Sequence, residues 1–588
     1  MLNVLGVAGE TAGEGLFGGN ILAPRTEMTG PNSYADAIEH LGVTTLRYPG
    51  GSLTEEYFDL SNPDAGTAVN IDSGEESFFV PLSDFMQYAG ENGNPVSIVI
   101  PTRPFVGEEM TDAGDRLPDI DEDLIKGFVQ DVVSGVYGEA DVVSFELGNE
   151  YWGSGRMNAA EYGMLSNEMV TVIADALAEV ENDYPGASDI SITVQMGHNY
   201  SYSSLSDEYE GVPAEEVLED LNATYGTDMG SEVIRGSGEV NWTLANNHII
   251  ISQLDEDALE EMDGVVAHVY SRAPVFESSR YYDLDAINET WMEVRDDLEI
   301  HVTEWNQKGS TDALDREDDY GLFQAHEMLN TMEGFMLNGV DQAQVWPLIQ
   351  NTPNALSNGF DFQEATAPGE FFSMMSTALP GKKMLDFSSG RETEAQENGV
   401  DVHGFAGEGE LTFYLANPSH ENGISTEINF SNLVESHGGA DIALLGVGES
   451  ENPGDNDSTA VVEDIEEEEV LSDGILSVDL APGEIMEITF REVEPTEEFA
   501  PVFEAAHEED DDDGVVVGDD EDDDDGVVVG DDEDDDDFPI PIVPDDGTSV
   551  PDDEGSSDED DDDSGFDLGG LEWALLFLPF LALAGFAG

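Results

Sequence analysis

The sequence predicts an α/β protein: a (β/α)₈ barrel, then a β-sandwich, then a disordered acidic tail. Three observations lead there. Short apolar runs alternate with helical patterns over residues 16–348, and eight such runs can be placed. Polar, aromatic-rich motifs follow the runs, at the strand ends where a barrel carries its chemistry. Beyond about Phe371 the texture changes to short alternating strands between Gly, Asn and Pro turns, the pattern of a sandwich.

Taken in order, the eight runs are residues 16–18, 44–48, 95–100, 142–147, 190–196, 264–270, 300–303 and 343–346. The second stops at Pro49-Gly50-Gly51, and the fourth at Gly148-Asn149-Glu150. The clearest helix spans residues 159–182. It opens on a capping-box pattern, Asn158 with Glu161, and places Tyr162, Leu165, Met169, Ile173, Leu177 and Val180 at helical spacing. The expected domains are a catalytic barrel over residues 1–360, a sandwich over 361–495, an acidic low-complexity linker over 496–566 and a hydrophobic segment over 567–588.

Composition excludes several partners. With Asp+Glu 133 against Lys+Arg 16, the formal net charge is −117 over 588 residues. Such a surface repels nucleic acid and anionic membranes. It suits a protein kept soluble in concentrated salt, where self-repulsion is screened. The absence of cysteine removes disulfides, thiolate metal sites and a cysteine nucleophile.

The tail spells the same acidic block at residues 510–521 and 522–533, a self-repelling spacer in its simplest reading and a weak calcium binder in the alternative one. The apolar end, residues 573–588, is shorter than the ~20 residues of a spanning helix. It reads as a marginal membrane anchor, a sorting tail or part of an export signal. Residues 1–8 carry no basic start, so an extracellular or cell-surface location implies a different export route or a start further upstream.

The chemistry is expected from two glutamates. Glu150 closes V-V-S-F-E-L-G-N-E and Glu304 closes E-I-H-V-T-E, each beside Trp and Asn. On strands four and seven they face each other across the mouth. A carboxyl pair ~5–5.5 Å apart serves hydrolysis of a glycosidic bond with retention. Glu150, among Tyr151 and Trp152, is the expected acid/base, with burial raising its pKa. Glu304 is the expected nucleophile, kept ionised by Arg47 and hydrogen-bonded by Tyr270. Asn149 is placed to bind a sugar hydroxyl beside the scissile bond, and no metal or organic cofactor is required. Trp152 and Trp305 supply aromatic faces, although packing is an equal role for both. His198 and His268 are either substrate contacts or core histidines. His301 has the opposite parity to Glu304 and receives no role.

These motifs resemble the retaining glycoside hydrolases of clan A, whose acid/base and nucleophile follow strands four and seven. Gly148-Asn149-Glu150 is similar to the acid/base segment and Thr303-Glu304-Trp305-Asn306 to the nucleophile segment. Arg47-Tyr48-Pro49-Gly50-Gly51 resembles the strand-two motif of the α-L-arabinofuranosidase, β-xylosidase and β-glucuronidase branch. His268-Val269-Tyr270 resembles the strand-six segment whose tyrosine contacts the nucleophile. The resemblance spans residues 16–491, sandwich included. It implies a (β/α)₈ barrel, a carbohydrate substrate, and Trp346 as an aromatic floor. Asn20 stands where that branch usually carries a sugar-binding glutamate, and Ser52 where it carries asparagine. A non-catalytic carbohydrate-binding or calcium-linked cell-surface protein is the rival expectation.

Overall fold

The computed structural model describes residues 1–309 and 314–507. The acidic repeats and the apolar end lie outside them. Among the described residues no helix is long and apolar enough to cross a membrane.

The eight-stranded parallel barrel closes through β1 (Gly18–Asn20), β2 (Leu46–Tyr48), β3 (Val96–Ile100), β4 (Val142–Leu147), β5 (Ser191–Gln195), β6 (Gly264–Ser271), β7 (Glu299–Gln307) and β8 (Gln342–Val345). Each strand precedes a helix. These are α1 (Tyr34–Leu41), α2 (Leu82–Asn92), α3 (Glu122–Val133), α4 (Ala159–Val180), α5 (Trp242–Gln253), α6 (Tyr282–Val294), α7 (Gly321–Leu337) and α8 (Ala367–Ala378). Burial explains why the strands read as apolar runs: Val96 to Ile100 are buried without a break, as a sheet covered on one face by helices and filled on the other requires. The α4 cap has the expected form, with the Asn158 side chain accepting from Glu161 N and the Glu161 carboxylate accepting from Asn158 N.

Three of the boundaries that differ from the sequence reading bear on the barrel and its site. The first strand begins at Gly18, and the residues before it form a 3₁₀ turn, Glu14–Phe17. The seventh strand continues through Glu304 to Gln307 instead of stopping at Thr303. The eighth barrel helix falls inside the stretch assigned to the sandwich, because α8 packs Phe372 against Phe17 and Trp305 of the barrel.

The sandwich has a large antiparallel sheet built on residues 383–491 and a smaller one joining Ile424–Asn429 to Ile475–Leu480. Its large sheet takes an edge strand from the far end of the chain: Gly6–Ala8 pairs antiparallel with Lys383–Asp386. Order also extends past the expected limit. Ala500–Ala505 is helical, and Phe499 and Phe503 join the sandwich core around Phe413, Phe430 and Phe490. Sandwich and barrel meet where Phe371 of α8 stands edge-on to Tyr414, ring centroids 5.2 Å apart.

Candidate active site

The carboxyl-terminal ends of the strands converge on a buried ionic centre. Arg47 of β2 is fully buried and uses its whole guanidinium on protein partners. Nε and Nη2 donate to Glu146 of β4 at 2.7 and 2.8 Å, Nη1 to Glu304 at 3.0 Å and to Asn20 at 2.9 Å, and Nη2 also to Asn149 at 2.9 Å. Asn20 is equally committed, its amide donating to the carbonyls of Thr303, Gln344 and Val345. Arg47 therefore holds the Glu146 and Glu304 carboxylates, and Asn20 holds Arg47; neither has a donor left over for substrate. Asn149 keeps its amide nitrogen without a partner among the described residues.

Glu304 reaches the pocket because β7 bulges. Ala267 pairs with Val302 and His268 with Glu304, which leaves Thr303 as the extra residue. The bulge breaks the two-residue alternation, so Thr303 and Glu304 both face the barrel interior. Thr303 Oγ1 donates to Glu146 at 3.2 Å. Glu304 Oε1 takes Arg47, and Oε2 accepts the Tyr270 hydroxyl at 2.8 Å.

Glu150 arrives by a tight turn. Gly148 has φ +75° and Glu150 itself φ +46°, a left-handed backbone that non-glycine residues rarely hold without surrounding constraint. His268 lies between the glutamates: Nδ1 is 3.2 Å from Glu150 Oε1 and 3.7 Å from Glu304 Oε2, and Nε2 is 3.2 Å from Thr303 Oγ1. The Thr303 proton is spent on Glu146, so His268 Nε2 must donate to that hydroxyl, and Nδ1 faces two acceptors. The doubly protonated ring fits this arrangement. Burial works against its charge, but Glu304 and Glu150 outweigh burial and raise the His268 pKa above its ordinary value.

The same contact reverses the expectation for Glu150. Burial pushes its carboxyl up, yet the His268 hydrogen bond and charge bring it below the ordinary carboxylate value. Both shifts favour the proton on the imidazole over the carboxyl. Burial and the charges of Glu304 and Glu150 push the Tyr270 phenol well up, so it stays a donor.

Aromatic groups frame this centre. Trp152 stacks on His198 with centroids 4.8 Å apart and stands edge-on to His268 at 6.0 Å. Burial lowers the His198 pKa to about 4, which leaves that ring neutral. Half-buried Trp346 lies over the Gly50-Gly51 turn. Trp305 does not join them: it is fully buried among Phe335 of α7 and Phe372 of α8, on the helical side of β7. His301 is buried and pairs with Glu299 at 2.9 Å.

Glu150, His268 and Glu304 form the one group among the described residues whose donor atoms approach closely enough to hold a metal ion, all within 4.8 Å of one another. The ring nitrogen and both carboxylates already have protein partners. The residues to which the sequence reading gave no role are Glu146, Thr303 and Gln195, whose amide nitrogen donates to the Glu146 carboxylate and to the Gly148 carbonyl.

Solved structures share the architecture. An α-L-arabinofuranosidase from Thermotoga maritima superposes with a TM-score of 0.51 at 14% identity, over 83% of this chain and 97% of its own. A family 51 α-L-arabinofuranosidase from Bifidobacterium longum gives 0.53 at 15% identity, over 83% and 98%. A bifunctional glucanase-xylanase from a metagenome library gives 0.50 at 14% identity, over 82% and 97%. These likenesses show the fold. No protein-family model matches the chain, and no curated protein does.

Proposed function

We propose that the chain is a retaining glycoside hydrolase of the clan A type, with Glu304 as nucleophile and Glu150 as acid/base. The observation that carries this reading is the approach of two buried glutamates, oxygens within 4.8 Å, one just past the end of strand four and one near the carboxyl-terminal end of strand seven. That spacing lies near the ~5–5.5 Å of double displacement and well short of the ~6.5–9.5 Å that an intervening water needs. The named activities of the similar structures, arabinofuranosidase and glucanase-xylanase, agree with a carbohydrate substrate.

In the first step a Glu304 oxygen attacks the anomeric carbon as the glycosidic C–O bond breaks, and a proton on Glu150 passes to the departing oxygen. Arg47 and Tyr270 hold the attacking carboxylate in place. In the second step Glu150 takes a proton from water, the water oxygen bonds to the anomeric carbon, and Glu304 departs as carboxylate. Trp152 and Trp346 offer apolar faces to the sugar. His268 shares the acid/base proton with Glu150 through the Nδ1–Oε1 contact of 3.2 Å.

The test is a panel of glycans and aryl glycosides with product anomers followed by NMR. Product of unchanged configuration supports the reading. Inverted product overturns the mechanism, and binding without release from any glycan overturns the enzyme.

A pH effect follows from the shared proton. The folded His268 value lies above the ordinary 6.5, so the proton is held below it and lost as pH rises through it. Activity should fall on that basic limb. In His268→Gln the last proton sits on Glu150 alone, so the basic limb of kcat/KM should move to lower pH. A limb that stays put would show that His268 does not share the proton.

Display at a cell surface, argued from the acidic spacer and the apolar end, is a separate proposal, checked by fractionating cells and assaying the envelope.

A further inference from the structure

A fourth buried carboxylate stands next to this site and takes no part in the chemistry above. Glu55 lies on the short helix Leu53–Tyr57 that follows the Pro49-Gly50-Gly51 turn, and it is 2% exposed. In sequence it is followed directly by a second acid, Glu56.

Its carboxylate collects donors from two other loops. After β3, Thr102 donates through its backbone N–H at 3.0 Å and its hydroxyl at 2.8 Å, and Arg103 N donates at 2.8 Å. After β4, Asn149 N donates to Oε1 at 3.1 Å. No cation lies within ion-pair reach of Glu55 among the described residues. The Arg103 guanidinium turns instead to Asp72 at 2.6 Å. A buried charge met only by neutral dipoles is costly unless every lone pair is used, and here each oxygen has more than one donor.

The fit extends to Gly148. A Cβ on that residue would come 2.6 Å from Thr102 Oγ1 and 2.9 Å from Glu55 Oε1, so the turn before Glu150 lies directly against this cluster. The Asn149 N–H belongs to the Gly148–Asn149 peptide, one residue ahead of Glu150, whose φ of +46° needs outside support. Asn149 is thus held from both sides, its N–H by Glu55 and its side-chain oxygen by Arg47.

We infer that Glu55 is a positioning residue for the acid/base: its carboxylate clamps the Gly148-Asn149-Glu150 turn to the loop after strand three and so aims the Glu150 carboxyl at the leaving oxygen. This rests on the glycosidase reading above.

The test separates aim from general damage. Aryl glycosides with leaving groups from phenyl to dinitrophenyl need proton donation to very different degrees, while all need the nucleophile equally. For Glu55→Gln, an isostere with one acceptor oxygen, kcat/KM on the phenyl glycoside should fall about 100-fold, the lower end of what general acid catalysis contributes. On the dinitrophenyl glycoside it should stay within a few-fold of wild type. Thr102→Val removes one donor from the same carboxylate and should steepen the leaving-group dependence in the same direction, and it carries the test if Glu55→Gln fails to fold. An even loss across the series, or no loss in either variant, overturns the assignment while leaving the glycosidase reading intact. A wild-type chain that cleaves none of the series overturns both.

Discussion

Replacing Glu304 by alanine should reduce turnover of an aryl glycoside by about 10⁴-fold or more, the scale seen when a covalent nucleophile is removed. Sugar binding should persist, because the aromatic walls at Trp152 and Trp346 are untouched. The loss should be equal for good and poor leaving groups, since neither can form the glycosyl-enzyme ester without that oxygen. This separates Glu304 from Glu150, whose removal should spare activated leaving groups. The measurement is kcat/KM across the aryl series, paired with calorimetric titration of a glycan ligand. Turnover that survives the substitution would remove Glu304 from the mechanism. Unchanged binding with no wild-type hydrolysis would favour a lectin-like protein.

Arg47→Met should be the most destabilising single change at this site. Arg47 is 0% exposed and donates to two carboxylates, Glu146 and Glu304, which are themselves 0% and 4% exposed. Methionine matches much of the side-chain volume but none of the charge, so both glutamates become buried and unpaired. Breaking a buried ion pair from one side costs about 3–5 kcal/mol, and here two acids depend on one base. Asn20 and Asn149 lose a donor as well. The unfolding midpoint in urea should drop accordingly. Activity in any folded fraction should fall too, because Glu304 loses the cation that holds it. A midpoint equal to wild type would mean that the centre has another counter-charge. Lysine at this position should not restore the native value, since one ammonium cannot bond two acids in fork geometry.

Much of this centre was legible because its parts end strands. Glu150, Glu304, Arg47 and Tyr270 each follow or close an apolar run, and the barrel brings all such ends to one face. Residues inside the runs were harder. Glu146 sits in V-V-S-F-E-L, where a charge looks like an interruption, yet Ser144 and Glu146 share one parity and both are buried. That polar alternation was the available signal. Thr303 gave none, because a bulge is invisible in a pattern that assumes strict alternation.

Trp305 misled although alternation alone would place it, since it has the opposite parity to Glu304. A tryptophan beside a catalytic glutamate reads as a sugar platform, but the residue after Glu304 points to the helices. The first strand was displaced because Gly18 and Gly19 have little strand propensity. They pair there through close approach: a Cβ on Gly18 would come 2.3 Å from Thr45 Oγ1. Glu55 is the extreme case, since its partners lie in loops 47 and 94 residues away.

The edge strand at Gly6–Ala8 has a consequence for assembly. Gly6–Ala8, which precedes the barrel, is stitched to Lys383–Asp386, which appear only after the entire barrel has been made. Such a pairing has a very long sequence separation and adds to contact order, a trait that slows folding. It also means that cutting the gene between barrel and sandwich would leave two products, one with a dangling ribbon and the other with a raw sheet margin open to association. A strand from ahead of the barrel sews the sandwich to it, and neither half is a natural unit for expression.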